Sequence, residues 1–173
     1  MSRLPPCTRQ HRPRTRPLTS STWPSRSWYV SAASCRRSAR STASRVAGFQ
    51  PEEPSAWQTE GLLAYLDRLQ VGRLLSQMAA CAATDSCLGA DFISESFLHS
   101  EWMQSYLRWL DEQRAPWRFG TDRPEDVLAA TGWRAVAVRQ PGEEGVGAGL
   151  LPWPVLPRDV PGIPRSFLVT AVR

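Results

Sequence analysis

The chain has 173 residues, room for one domain of ordinary size, and carries 21 basic residues against 16 acids for a formal net charge of +5. That charge is unevenly placed: residues 1–47 hold ten Arg and no acid, and the other 11 Arg stand against all 16 acids. The basic balance therefore belongs to the first quarter of the chain, and no nucleic-acid partner is expected.

Lys is absent throughout, a pattern of GC-biased coding more than of chemistry. Cys7, Cys35, Cys81 and Cys87 form no CxxC pair, and His11 and His99 have no partner at ligand-like spacing, which argues against a zinc site or a disulfide framework. Reduced thiols and no metal are expected. No apolar run approaches the roughly 18 residues that span a membrane, so the chain is expected to be soluble with no membrane partner. No secretory signal is visible, because the N-terminus lacks a continuous apolar core.

Residues 1–47, with ten Ser, ten Arg and five Pro, contain too little Leu, Ile and Val to offset the entropy of ordering them. They are read as disordered. Three origins stay open: an organellar transit peptide, an arginine-rich arm, or an out-of-frame or mis-called start of a GC-rich gene, the last favoured by the abrupt change of composition near Ala47. A transit peptide implies a plastid; otherwise a cytoplasmic location is expected.

Gly48 to Leu66 is the stretch that organises the rest. Prolines at 51 and 54 lead to an apolar run, Ala56 to Thr59, that ends abruptly in Glu60-Gly61. A carboxylate and a glycine at a strand end suit the crevice at the carboxyl ends of strands in an open α/β sheet, where ligands bind. Leu66, Leu69, Leu74, Leu75 and Met78 then recur at helical spacing and predict an amphipathic helix over 67–82. Cys87 to Ile93 reads as a buried strand with Asp91 near its carboxyl end, which completes a βαβ unit with parallel strands.

A helix is predicted over 101–113, with Trp102, Tyr106, Trp109 and Leu110 on one face. Another is predicted over 123–131, with Asp122 as N-cap, Pro124 in the first turn, Glu125 in a capping box and Gly132 as the stop. A strand over 133–138 follows. Residues 140–164 form a loop rich in Gly and Pro, and Ser166 to Val172 forms the last strand. Two strands joined by a loop with no helix pair antiparallel, so a mixed sheet is expected.

Glu60 leads the candidate site residues, because a strand-end carboxylate can accept hydrogen bonds from hydroxyl or amino groups. Asp91 carries the same logic more weakly. A solvated loop acid is the plain alternative for both. The run GVGAG at 145–149 lacks the GxGxxG spacing and does not lie between a strand and a helix, so it is read as a flexible loop. Trp102, Trp109, Trp117 and Phe119 can wall an apolar pocket, but most are expected to be core. No serine lies in a GxSxG setting and no Cys/His pair suggests itself, so nucleophilic catalysis finds no support, and no catalytic residue is assigned.

AWQTEGLLAYL resembles the strand and turn of the leucine carboxyl methyltransferase-like class I S-adenosylmethionine-dependent methyltransferases. APWRFGTDRPEDVLAATGW with QPGEEG, and LPRDVPGIPRSFLVTAVR, are similar to the C-terminal half of a bacterial and plastid-type branch of that family. The resemblance covers 48–173. It implies an α/β, Rossmann-like sheet in which the segments here are strands 4, 5, 7 and 6 in spatial order, with the last strand antiparallel. It also implies S-adenosyl-L-methionine as cofactor, contacts to it from Glu60, Gly61 and Leu62, and Tyr65 facing a small-molecule or peptide carboxylate or hydroxyl that is methylated on oxygen. The family's glycine-rich cofactor loop precedes these segments, and residues 1–47 contain no glycine. The expectation is thus half of a methyltransferase domain, with a catalytically inactive fragment acting at most as a binding module as the alternative.

Overall fold

The computed structural model describes residues 49–152 and 154–173. The expectations for residues 1–47, and the boundary at Gly48, lie outside the described residues. Four strands form one sheet: β1 (Ala56–Thr59), β2 (Cys87–Ile93), β3 (Arg134–Arg139) and β4 (Ser166–Val172). Their spatial order is β1-β2-β4-β3. β1 and β2 are parallel, with Ala56 opposite Cys87 and Thr59 opposite Ala90. β4 runs antiparallel to both of its neighbours. This is the expected mixed sheet, and its cause is the connections: a helix carries the chain back between β1 and β2, whereas the described residues between β3 and β4 form no helix.

Helix α1 (Arg68–Cys81) opens on a capping box, in which the Asp67 carboxylate accepts from the Gln70 amide at 2.8 Å and the Gln70 side chain accepts from the Asp67 amide at 2.9 Å. Its buried face is Val71, Leu74, Leu75, Met78 and Ala79. Leu69, predicted to share that face, is 62% exposed. The i, i+3, i+4, i+7 series starting at Val71 accounts for the difference, since Leu69 falls outside it. The face packs on Trp57, Leu88, Ala90, Phe92, Phe167, Val169 and Ala171 of the sheet. A fully buried Leu such as Leu75 stabilises the fold by about 1.5–3 kcal/mol. Trp133 joins the same layer, and its indole donates to the Leu75 carbonyl at 3.0 Å.

The segment after β2 differs from expectation. In place of one helix over 101–113 there is a short helix α2 (Glu95–His99), a 3-10 turn (Glu101–Met103) and a helix α3 (Gln104–Glu112). Ser94 caps α2 by accepting from the Phe97 amide at 3.2 Å. Leu110 is the buried residue of α3. Trp102, Trp109 and Tyr106 are 78%, 51% and 42% exposed, so the core reading fails for the two tryptophans and holds for Phe119. Tyr106 and Trp109 share a face of α3 on which Trp117 of a later loop meets Tyr106, whereas Trp102 lies in the preceding 3-10 turn.

Helix α4 (Pro124–Ala130) begins with Arg123 rather than Asp122 at its cap, and no side chain caps it. Glu125 is drawn away from the predicted capping box by Arg158, whose Nη2 donates to Glu125 at 3.1 Å and also to the Asp122 carbonyl at 3.2 Å. That interaction holds the Glu125 carboxyl below its usual range. Gly132 ends the helix with φ at +89°, as its position suggested. No helix of the described residues is long and apolar enough to cross a membrane.

Candidate functional site

The carboxyl ends of β1 and β2 meet at one edge of the sheet. β1 finishes at Thr59, and Glu60 and Gly61 turn the chain into a 3-10 turn (Leu63–Tyr65). Gly61 sits at φ +59°, a conformation that costs other residues roughly 1–2 kcal/mol, and a Cβ built there would meet nothing within 4 Å. Glycine is thus required by the backbone and not by crowding, and the space beside it is open.

The Gly61 amide donates to the Asp91 carboxylate at 2.9 Å, which ties the turn after β1 to β2. Burial raises the Asp91 pKa, hydrogen bonds from the Gly61 and Asp91 amides oppose the rise, and the negative charge of Glu60 adds to it. Glu60 is exposed and accepts from Gln58 at 3.0 Å. Leu62 is half-buried against the core. Tyr65, at the end of the turn, is 37% exposed. Two carboxylates thus share an edge where the backbone is accessible.

The loop from Arg114 to Arg123 is fastened over this edge. The amides of Arg118 and Phe119 both donate to the Ala64 carbonyl, at 2.6 and 3.2 Å, and the Thr121 amide donates to the Ile93 carbonyl at 2.8 Å. Gly120 lies so close to the chain after β2 that a Cβ there would stand 2.6 Å from the Ser94 carbonyl oxygen. The loop carries Trp117 against three rings from three other elements. Tyr65, Phe97 and Tyr106 have centroids 6.2, 5.8 and 5.6 Å from it, and Trp109 stacks on Tyr106 at 5.8 Å. Sequence reading grouped Trp117 with Trp102, Trp109 and Phe119. The structure instead pairs it with Tyr65, and Phe119 faces Phe92 and Arg68.

Four buried side-chain polar atoms among the described residues have no hydrogen-bond partner: Thr59 Oγ1, Ser100 Oγ, Trp117 Nε1 and Arg165 Nε. All four belong to this end of the sheet. Thr59 ends β1, and Ser100 follows the helix that leaves β2. Trp117 is on the fastened loop, and Arg165 precedes Ser166, the β4 residue opposite Ile93. An unmade buried hydrogen bond costs about 1–3 kcal/mol, so such a concentration marks a place where stability is not the only requirement. No periodicity could have shown it. The run 145–149 has φ values of +79°, +75° and +79° at its three glycines and passes through turns, with no strand before it and no helix after. It is a loop, as read.

Among the described residues, no group of three or more His, Cys, Asp and Glu is placed to hold a metal ion.

Comparison with known proteins places this edge in context. The family model described as leucine carboxyl methyltransferase matches residues 22–79, a span that runs from outside the described residues through the Glu60 turn and most of α1. A protein of Mycolicibacterium gilvum named as a candidate S-adenosyl-L-methionine-dependent methyltransferase is 35% identical over 104 residues, covering 60% of this chain and 33% of its own. One from Frankia alni with the same description is 30% identical over 144 residues, covering 77% of this chain and 45% of its own. The chain thus spans from about a third to under half the length of these relatives. A crystal structure of a candidate methyltransferase from Thermobifida fusca superposes with a TM-score of 0.52 at 18% identity, over 76% of this chain and 48% of that one, which bears on the fold.

Proposed function

We propose that the chain is related to the leucine carboxyl methyltransferase-like, class I S-adenosylmethionine-dependent methyltransferases it resembles, and that its carboxyl edge binds S-adenosyl-L-methionine for methyl transfer to an oxygen of a carboxylate or hydroxyl acceptor. One observation carries this reading: the Glu60-Gly61 turn, open at Gly61 and tied through the Gly61 amide to a second carboxylate, Asp91. Two acids whose charges oppose one another at an accessible edge suit a ligand bearing positive charge and hydroxyl or amino donors. S-adenosylmethionine has both.

The residues at this edge suit the part of the cofactor that would reach them. Glu60 would accept from its donors, Gly61 would let it approach the backbone, and Leu62 would supply apolar contact. When bound, the cofactor supplies a methyl group made electrophilic by its sulfonium. The chain's task is then to hold the acceptor oxygen in line and keep water away. Tyr65, partly exposed and next to the turn, would face the acceptor. A carboxylate acceptor needs no base at neutral pH.

Titration calorimetry of the full chain with S-adenosylhomocysteine, using Glu60→Ala as control, tests the reading. Saturable micromolar binding is expected, weakened roughly tenfold or more in the variant, as the loss of a charge-assisted hydrogen bond implies. No saturable binding to the natural chain would overturn it and leave the inactive-fragment alternative.

A further inference from the structure

We propose that Trp117 binds the methyl acceptor, its indole Nε1–H donating to a phenolic or carbonyl oxygen of an aromatic acceptor whose ring lies among Tyr65, Phe97 and Tyr106. The inference rests on the methyltransferase reading of the same edge and narrows its acceptor to an oxygen-bearing aromatic compound.

The contrast among the buried indole donors leads to it. Trp57 Nε1 donates to Ser55 Oγ at 2.9 Å, and Trp133 Nε1 donates to the Leu75 carbonyl at 3.0 Å. Trp117 Nε1 is buried and has no partner. A fold that satisfies two indoles through neighbours in its core leaves the third unmade at the edge where the candidate site lies. An indole N–H is a donor only, so what completes it is an acceptor atom.

Its surroundings specify the rest of that ligand. Tyr65 and Tyr106 meet the Trp117 ring at interplanar angles of 82° and 77°, and Phe97 meets it at 53°. Edge-to-face sets of this kind accommodate a further aromatic ring, whose face and edge find complementary partners. The Trp117 ring packs against Tyr65 and Tyr106, which are themselves partly exposed. The backbone is fixed: the Arg118 and Phe119 amides hold to Ala64, and Gly120 packs against Ser94. Trp117 therefore stands at a set position beside Tyr65 and the Glu60 turn.

The test uses the full chain labelled with 15N at the indole nitrogens and the probes 2-naphthol and naphthalene, which differ by one hydroxyl. The Trp117 cross-peak is the one missing from Trp117→Phe. It is expected to move downfield with 2-naphthol, as a new hydrogen bond implies, and to show no such downfield shift with naphthalene. Trp117→Phe is expected to weaken 2-naphthol about tenfold and leave S-adenosylhomocysteine affinity unchanged. If that variant does not fold, the cross-peak is assigned in the natural chain from its contacts to the Tyr65 and Tyr106 rings, and its shift decides alone. Failure of 2-naphthol to bind, or binding that leaves the Trp117 cross-peak unmoved, would overturn the proposal. S-adenosylhomocysteine binding in the same samples separates that result from a failure of the methyltransferase reading.

Discussion

The two poles of the sheet treat their polar groups in opposite ways. At the amino pole of β1 and β2, Ser55 and Ser86 face one another, the Ser55 amide donates to Ser86 Oγ at 3.0 Å, and the Trp57 indole donates to Ser55 Oγ at 2.9 Å. The Cys87 amide donates to the Ser55 carbonyl and the Arg173 amide to the Ser86 carbonyl, each at 2.9 Å. Arg173 then reaches the carbonyls of Ala79 and Gly132 at 2.8 and 3.1 Å. At the carboxyl pole, Thr59, Ser100, Trp117 and Arg165 each keep a buried polar atom without a partner, and Asp91 has its pKa raised by burial. Both poles belong to the same strands, so strand propensity does not explain the difference. One pole is closed by its own hydrogen bonds, and the other, which is the edge proposed to bind the cofactor, leaves four buried polar atoms without a partner.

The core between the poles should respond most strongly. Leu75 is fully buried on α1, and Leu75→Ala is expected to lower stability by about 2–5 kcal/mol in denaturant unfolding. A loss below about 1 kcal/mol would mean the α1 face is not the packed layer described above.

Paired hydroxyl deletions set the poles against each other more sharply. Ser86→Ala leaves the Ser55 amide without its acceptor and is expected to cost about 1–3 kcal/mol. Thr59→Val removes a hydroxyl that has no partner and keeps the shape, so its expected effect is close to zero or a gain of up to about 1 kcal/mol. Equal losses in the two variants would erase the distinction between the poles.

The smallest effect is on pH dependence. Asp91 binds its proton more tightly in the folded chain than in the unfolded one, because burial disfavours its charge. Its contribution to stability is therefore full below the ordinary carboxylate pKa and is lost as pH rises through the raised value. Thermal melts across that window should show Asp91→Asn falling less with pH than the natural chain. Glu125 behaves oppositely: its lowered pKa adds stability above the usual carboxylate range, lost as pH falls through the lowered value.

Much of this was legible in the sequence because it depends on local pattern. The strands, α1 and the mixed sheet follow from apolar spacing and from the missing helix between β3 and β4. The Glu60-Gly61 turn stands out because a charge and a glycine interrupt an apolar run. What sequence missed depends on distant partners. Arg158 takes Glu125 from 33 residues away and so undoes the predicted cap at Asp122. Helical spacing placed Tyr106 and Trp109 on one face but could not say that Trp117, from a later loop, meets it while both rings stay largely exposed. Helix α2 has five residues, too few to show a period. The missing partner of Trp117 has no signature in one dimension.

The account turns on the carboxyl pole being the side that binds, and backbone amide spectra of the 15N-labelled chain titrated with S-adenosylhomocysteine test that most directly. The Gly61 and Leu62 amides are expected to shift in a saturable way, while Ser55 and Ser86 at the opposite pole stay unmoved. Shifts at Ser55 and Ser86 with Gly61 unaffected, or no shifts at any concentration, would contradict it.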